Sequence, residues 1–254
     1  MLVEVFEDYD AVSRRAAEIV TRQIRRKPDS VLGFATGSTP LQLYNMLIES
    51  HRERGLDFSK ITTFNLDEYV GLAPEHPQSY HHFMWENLFK HVNVTPSRVF
   101  IPHGMADDIE YFCEWYEQQI EKAGGIDIQL VGIGANGHLA FNEPGSSLGS
   151  KTRIKTLTAK TVRDNARFFE NTDEVPRQAI TMGIGTILDA RTILLIASGE
   201  RKAEAIRAAL EGPVTGMCPA TVVQMHRFAH VVIDEEAASR LQYYHHGGIA
   251  EPKE

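Results

Sequence analysis

The sequence predicts an α/β protein organised on a mainly parallel sheet, and three observations support that class. Short runs that are apolar along their whole length recur through the chain and lead into Gly, Ser or Asp. Such runs suit strands covered on both faces, as parallel strands are. Between them lie segments whose apolar residues return every third or fourth position, the period of a helix buried on one side. Finally, the 254 residues are 43% hydrophobic, with no repeat, low-complexity tract or Pro/Gly/Ser linker, so 1–254 reads as a single domain with its own core.

The chain opens on a strand, MLVEVF, followed by a helix marked by Tyr9, Val12, Ala16, Ile19, Val20 and Ile24. Val31–Ala35 is the next strand. It runs into Thr36-Gly37-Ser38-Thr39-Pro40, where Ser or Thr suits a helix N-cap and Pro40 suits the first helical turn. Leu43, Leu47 and Ile48 mark that helix. Ile61–Leu66 is a strand ending in Asp67-Glu68, and Ile109, Phe112, Tyr116 and Ile120 mark a further helix. Ile126–Ile133 then runs into Gly134, and Thr192–Ala197 into Ser198-Gly199. Ala203, Ile206 and Leu210 belong to a helix stopped by Gly212-Pro213. His230–Ile233 is a last strand before Asp234.

Composition excludes several function classes. With 26 basic and 34 acidic residues the net charge is −8, which offers no attraction to nucleic acid or an anionic membrane. Cys113 and Cys218 lie far apart with no CxxC spacing, so neither a disulfide framework nor a zinc ribbon is expected. No apolar run approaches a membrane span, and MLVEVFEDYD lacks the order of a signal peptide, so a soluble, cytoplasmic protein is expected. His76, His81-His82, His91, His103 and His245-His246 show no metal-ligand spacing, and no metal is expected.

Ligands of open parallel sheets bind beyond the carboxyl ends of the strands, so the chemistry is sought there. The free N–H groups of a turn such as Thr36-Gly37-Ser38-Thr39 attract an anion like phosphate, although the same residues serve an ordinary capped helix. Gly132-Ile133-Gly134-Ala135-Asn136-Gly137 spells G-x-G-x-x-G, but a dinucleotide fingerprint must open a helix and Pro144-Gly145 follows too soon. The acidic residue about 20 positions on is also missing. The glycines instead allow a loop that folds closely over a small ligand. Within its continuation, His138 and Glu143 can place an imidazole against a carboxylate, which fixes the tautomer and raises basicity. Asp67 and Glu68 can supply a base or cap the next helix. Neighbours on an extended chain point opposite ways, so at most one faces a pocket. Lys202 and Arg167 are cations suited to phosphate or, equally, to solvent.

Taken together, FATGSTP, NLDEYVGL, GIGANGHLAFNEPGSSL, TRIKTLT, NARFF and SGERKA closely resemble, in order and over nearly the whole chain, the glucosamine-6-phosphate deaminase family of sugar-phosphate isomerase-deaminases. The resemblance implies a three-layer open sandwich, a mostly parallel sheet of modified Rossmann-like topology, and a lid. It implies conversion of glucosamine 6-phosphate and water to fructose 6-phosphate and ammonium, without a cofactor or metal. Asp67 would be the base at C2, and His138 would open the pyranose ring with Glu143 completing the relay. Asn136 stands where many members carry Asp. Thr36, Gly37, Ser38, Thr39, Arg167 and Lys202 would hold the 6-phosphate, Arg167 from the lid. Ser146, Arg153 and Lys155 match a second phosphate site that lies between subunits in relatives activated by N-acetylglucosamine 6-phosphate. The short polar tail from His245 does not resemble the regulated tail of those relatives, so Arg153 and Lys155 fit an inherited or structural role as well as an allosteric one, and monomer and homo-oligomer both stay open. Two other readings remain: a 6-phosphogluconolactonase-like hydrolase, which needs no C2 base, and a non-catalytic sugar-phosphate sensor.

Overall fold

The computed structural model describes residues 1–166, 169, 171, 174–246 and 249–252. In chain order the elements are β1 (Leu2–Phe6), α1 (Tyr9–Arg26), β2 (Val31–Phe34), α2 (Leu41–Arg54), β3 (Thr62–Asn65), β4 (Asp67–Tyr69), α3 (Tyr80–Asn87), β5 (Val99–Phe100), α4 (Ile109–Lys122) and β6 (Ile128–Val131). They continue with β7 (Arg153–Thr156), α5 (Ala159–Asn165), β8 (Gln178–Thr181), α6 (Ile184–Leu188), β9 (Ile193–Ala197), α7 (Ala203–Glu211), β10 (Ala229–Asp234), β11 (Tyr243–His246) and β12 (Ile249–Pro252).

Seven strands form one sheet in the order β1-β10-β9-β6-β2-β3-β5, every pair parallel. Every residue of β2, β6 and β9 is buried. Side chains alternate between faces along a strand, so continuous burial means both faces are covered. Helices do the covering: α1 is held at its start by Asp8, whose carboxylate accepts the Ala11 N–H at 2.8 Å, and buries Val12, Ala16, Val20 and Ile24. From β2 the chain builds outward through β3 to β5, then returns to the other side of β2 with β6, β9 and β10. The order therefore reverses between β2 and β6, which places a crevice at the carboxyl ends of those two strands.

Strands β2, β9 and β10 differ by one residue at one or both ends from the sequence reading, and four further departures bear on the site or the tail. Parallel strand β3 ends at Asn65, one residue before the expected end. The Leu66 N–H still reaches the Phe34 carbonyl at 3.2 Å, but the Leu66 carbonyl accepts the Met182 N–H at 2.6 Å. The chain changes sheets at that residue, and Asp67–Tyr69 becomes β4 of a three-stranded antiparallel sheet, order β4-β8-β7. That sheet was not anticipated, because its strands are short and half polar. At α2, Pro40 is the N-cap residue itself and makes no side-chain cap. Strand β6 is also shorter than Ile126–Ile133: before it the Asp127 carboxylate accepts the Val31 N–H at 2.8 Å, and after it the Ile133 carbonyl accepts from Lys202.

The fourth departure is at the tail. Read as a polar extension, it forms a hairpin in which β11 and β12 pair antiparallel, Tyr243 opposite Pro252 and His246 opposite Ile249. Among the described residues, no helix is long and apolar enough to cross a membrane.

Candidate active site

The turn after β2 is built to leave its amides unoccupied. Gly37 takes φ of 95°, the left-handed backbone that glycine accepts without strain. The carbonyls of the turn are tied back: Tyr9, on α1, donates its hydroxyl towards Ser38 O and Thr39 O at 3.1 and 2.9 Å, and Tyr44 donates to Ala35 O. The Tyr9 oxygen also accepts the Gln42 N–H at 3.2 Å. Among the described residues, no hydrogen bond uses the N–H groups of Thr36, Gly37, Ser38 or Thr39. Four donors are thus left available just before the positive end of a 14-residue helix, an arrangement suited to an anion.

A cation stands two strands away. Beyond β9, Asp234 at the end of β10 accepts the Gly199 N–H at 3.1 and 3.0 Å and the Ser198 hydroxyl, fixing that loop. Lys202 follows and donates its Nζ to Ile133 O, just past β6, at 2.7 Å. Its ammonium therefore sits in the crevice between the neighbouring strand ends, and burial holds its pKa below that of an ordinary lysine. Arg167, the other expected phosphate ligand, lies outside the described residues.

The glycine-rich loop after β6 wraps an imidazole. A Cβ on Gly134 would fall 2.1 Å from the His138 ring, and one on Gly137 would fall 2.3 Å from the Cys218 sulfur. Both glycines are thus required by close packing, and the loop opens no helix. His138 Nδ1 lies 2.7 Å from Asn136 Oδ1, and Asn136 Nδ2 donates to Glu143 Oε2 at 2.8 Å. Because the amide N–H is given to the carboxylate, its oxygen must accept from the ring, so Nδ1 carries a proton, and in the neutral ring the lone pair is then on Nε2. The His138 Nδ1 to Glu143 Oε2 separation is 3.8 Å, and Asn136 spans it. Ala140, two residues on, is the one non-glycine residue at positive φ (52°) among those described, a small backbone strain at this loop.

Adjacent carboxylates on β4 have opposite fates. Glu68 turns to the start of α3 and accepts N–H groups from Tyr69, Tyr80 and His81 at 2.9, 2.9 and 2.8 Å. Burial pushes its pKa up to about 7, opposed by those three donors. Asp67 points the other way. It is 6% exposed, and its carboxylate has no hydrogen bond among the described residues. Burial, with the Glu68 charge beside it, pushes its pKa up to about 8.

Strand register shows what Asp67 faces. It pairs with Thr181 on β8, which pairs in turn with Arg153 on β7. Directly paired residues project from the same face of a sheet. In that row the Thr181 hydroxyl accepts the Phe141 N–H at 3.2 Å, and Arg153 donates to Asn142 Oδ1 at 2.9 Å. Two residues along β4, Tyr69 meets the Phe141 ring at 5.5 Å. The face bearing Asp67 is therefore the one on which the 138–143 segment lies. Asp67 and the imidazole relay share a site yet are not hydrogen bonded to each other.

Of the remaining expected residues, Arg153 and Lys155 share a face of β7, and the Arg153 guanidinium is engaged by Asn142 and, at 3.2 Å, by Lys151 O. The Ser146 hydroxyl is buried without a hydrogen-bond partner. Sequence reasoning missed Tyr9, Thr181 and Thr161; the last donates its hydroxyl to Glu143 Oε1 from α5. No motif marks them, since each acts through a contact made across the fold. A groove of about 820 Å³ between α1 and α2, lined by Arg22, Arg25 and Arg54 among others, contains none of this constellation.

Comparison with known proteins identifies the family and the fold. The family model described as glucosamine-6-phosphate isomerases/6-phosphogluconolactonase matches residues 7–232. A glucosamine-6-phosphate deaminase from Thermoanaerobacter sp. (strain X514) is 54% identical over 239 residues, 94% of each chain. A solved structure of a monomeric glucosamine-6-phosphate deaminase superposes with a TM-score of 0.92 at 49% identity, covering 94% of this chain and 100% of the other. The 6-phosphogluconolactonase of Trypanosoma brucei superposes with a TM-score of 0.75 at 18% identity, covering 94% of this chain and 98% of its own, a likeness of fold alone.

Proposed function

The chain belongs to the family of glucosamine-6-phosphate isomerases and 6-phosphogluconolactonases, and within it we propose that it is a glucosamine-6-phosphate deaminase producing fructose 6-phosphate and ammonium. The observation that carries this reading is the pairing of two separate proton-handling devices in one site. One is a buried carboxylate with no hydrogen bond among the described residues, Asp67; the other is an imidazole whose Nδ1 proton is directed by Asn136 and Glu143. Isomerisation of an amino sugar needs both. The pyranose must open at its ring oxygen before C2 becomes acidic, and a different group must then remove the C2 proton and return one at C1. A lactonase has no use for the second device.

In this reading His138 Nε2 takes the proton of the anomeric hydroxyl and gives one to the ring oxygen. Asp67, with its pKa near 8, is a stronger base than an ordinary carboxylate and is matched to neutral pH. It moves the proton between C2 and C1, after which water adds at C2 and ammonia leaves. Each general acid–base group contributes on the order of 10²- to 10⁴-fold. The phosphate binds the open amides of Thr36, Gly37, Ser38 and Thr39 with the cations of Lys202 and Arg167. That remote dianion fixes the sugar so that C2 meets Asp67. In this structure Arg153 serves the relay loop through Asn142, and Ser146 and Lys155 are assigned no part in the reaction. The monomeric relative at 0.92 TM-score supports a monomer, and a phosphorylated substrate retained inside the cell supports a cytoplasmic enzyme.

The test is to incubate the purified protein with glucosamine 6-phosphate and assay ammonium and fructose 6-phosphate together, with the lactone of 6-phosphogluconate in parallel. Equal yields of the two products and no lactone hydrolysis are expected. Lactone hydrolysis without ammonium would overturn the assignment.

A further inference from the structure

Both oxygens of the Glu143 carboxylate are held, and from different sides. Oε2 accepts from Asn136, on the loop that carries His138. Oε1 accepts the hydroxyl of Thr161, on α5. Thr161 is bound in turn at the start of its own helix. The Thr158 hydroxyl caps α5 by accepting the Thr161 N–H at 3.1 Å, and its oxygen lies 2.9 Å from Thr161 Oγ. An ionised carboxylate only accepts hydrogen bonds, so the single Thr161 proton goes to Glu143, and the Thr158 hydroxyl must be the donor to Thr161. One directional chain therefore runs from the N-cap of α5 through Thr161 and Glu143, where it meets the chain from the imidazole through Asn136.

The same helix is seated by apolar contact on the face that bears the base. Val162 of α5 and Phe169 beyond it pack against a small cluster of Tyr69, Leu72, Phe141, Leu157 and Ala179, distinct from the main core. Phe169 meets Tyr69 edge-on at 6.1 Å. Tyr69 lies two residues from Asp67, and Phe141 lies between His138 and Glu143. The position of α5 is thus felt at both proton-handling groups, by packing at Tyr69 and by a hydrogen bond at Glu143.

We propose that Thr161 is a positioning residue for ring opening: its hydroxyl fixes the Glu143 carboxylate, which fixes the Asn136 amide and so the tautomer and direction of His138, making the relay complete only when α5 is seated. This rests on His138 being the ring-opening group. Glu143 is 6% exposed, so water cannot readily replace a lost hydroxyl at Oε1. The carboxylate would then turn towards another donor and release the amide, and a small loss of alignment at a proton-transfer group costs rate steeply.

Thr161→Val keeps the shape and removes the hydroxyl, while Thr161→Ser keeps the hydroxyl and removes the methyl. For each, kcat and KM for ammonium release are measured, together with the affinity for 2-amino-2-deoxyglucitol 6-phosphate, the open-chain alditol of the substrate, which has no ring to open. The Val variant is expected to lose about 10-fold or more in kcat, with KM and alditol affinity within about twofold of the parent. The Ser variant should return kcat to within about threefold. An unchanged kcat in the Val variant would overturn the proposal. Alditol affinity falling as far as kcat would also overturn it, making Thr161 an anchor of the helix, as would a Ser variant no better than Val, making the methyl the functional group. Absence of ammonium from the unsubstituted protein would instead overturn the deaminase reading, and this proposal with it.

Discussion

The seven-stranded and three-stranded sheets contribute to the site in different ways. Parallel strands β2, β6 and β9 end in turns, and what they offer is mainly backbone: open amides at 36–39, a glycine loop folded onto an imidazole, and a carbonyl that holds Lys202. Antiparallel β4 offers side chains in a fixed row, with Asp67 beside Thr181, which stands between it and Arg153. Turns at strand ends suit an anion because N–H groups converge there. A sheet row suits a base because it holds a carboxylate in a dry place without giving it a partner, which raises its proton affinity. The contrast within β4 is sharper still. Glu68, one residue from Asp67, is buried with three backbone donors, and its position makes it a structural cap rather than a base.

Replacing Asp67 should break this comparison most completely. Asp67→Asn is expected to lower kcat by about 10³-fold or more while fructose 6-phosphate binding changes little; binding lost in proportion to turnover would count against the role of base. The same variant should be more stable than the parent. The folded pKa of Asp67, about 8, lies above its ordinary value of 3.8, so folding favours the protonated form. Its contribution is fully present below 3.8 and is lost as pH rises through 8. Removing the charge should therefore raise Tm by several degrees at pH 8 and much less at pH 5, which thermal melts at the two pH values would show.

On the parallel side, Lys202→Met should raise KM for glucosamine 6-phosphate by about 10- to 100-fold, the worth of a charge-assisted hydrogen bond, with a smaller change in kcat. Steady-state kinetics giving the reverse split would place Lys202 in the chemical step. Glu68→Ala should act on stability instead, costing about 1–2 kcal/mol by leaving the N–H groups of Tyr69, Tyr80 and His81 without their acceptor, with kcat retained within about fivefold. Because the Glu68 charge raises the proton affinity of Asp67, this variant should also move the acidic limb of the kcat/KM profile to lower pH. The smallest effect is expected at Asn136. Asn136→Asp places a negative charge beside both the imidazole and Glu143, favouring the imidazolium, so the pH–rate profile should move upward by up to about one unit. An unchanged profile would show that Asn136 acts only as a spacer.

Local sequence was enough for the parallel core and its junctions. Continuous apolar runs such as ILLIA in β9 require cover on both faces, and a run ending in Gly or Ser must turn there. The glycine-containing turn at 36–39 and the His–Glu spacing were legible for the same reason, since each lies within a few residues on one stretch of chain. The Asp67/Glu68 choice was legible only as a choice: alternation says that the two point apart, and nothing local says which one meets the helix. The β4-β8-β7 sheet decided it, because pairing Asp67 with Thr181 turns Glu68 towards the N–H groups of Tyr80 and His81. Tyr9 at the anion turn, Thr181 under Phe141 and Thr161 on Glu143 reach their partners across 29, 40 and 18 residues respectively. Contacts over such separations leave no period or spacing in the chain. Pattern in one segment reports the environment that the segment needs, whereas the partner that fills it is chosen only when distant segments pack.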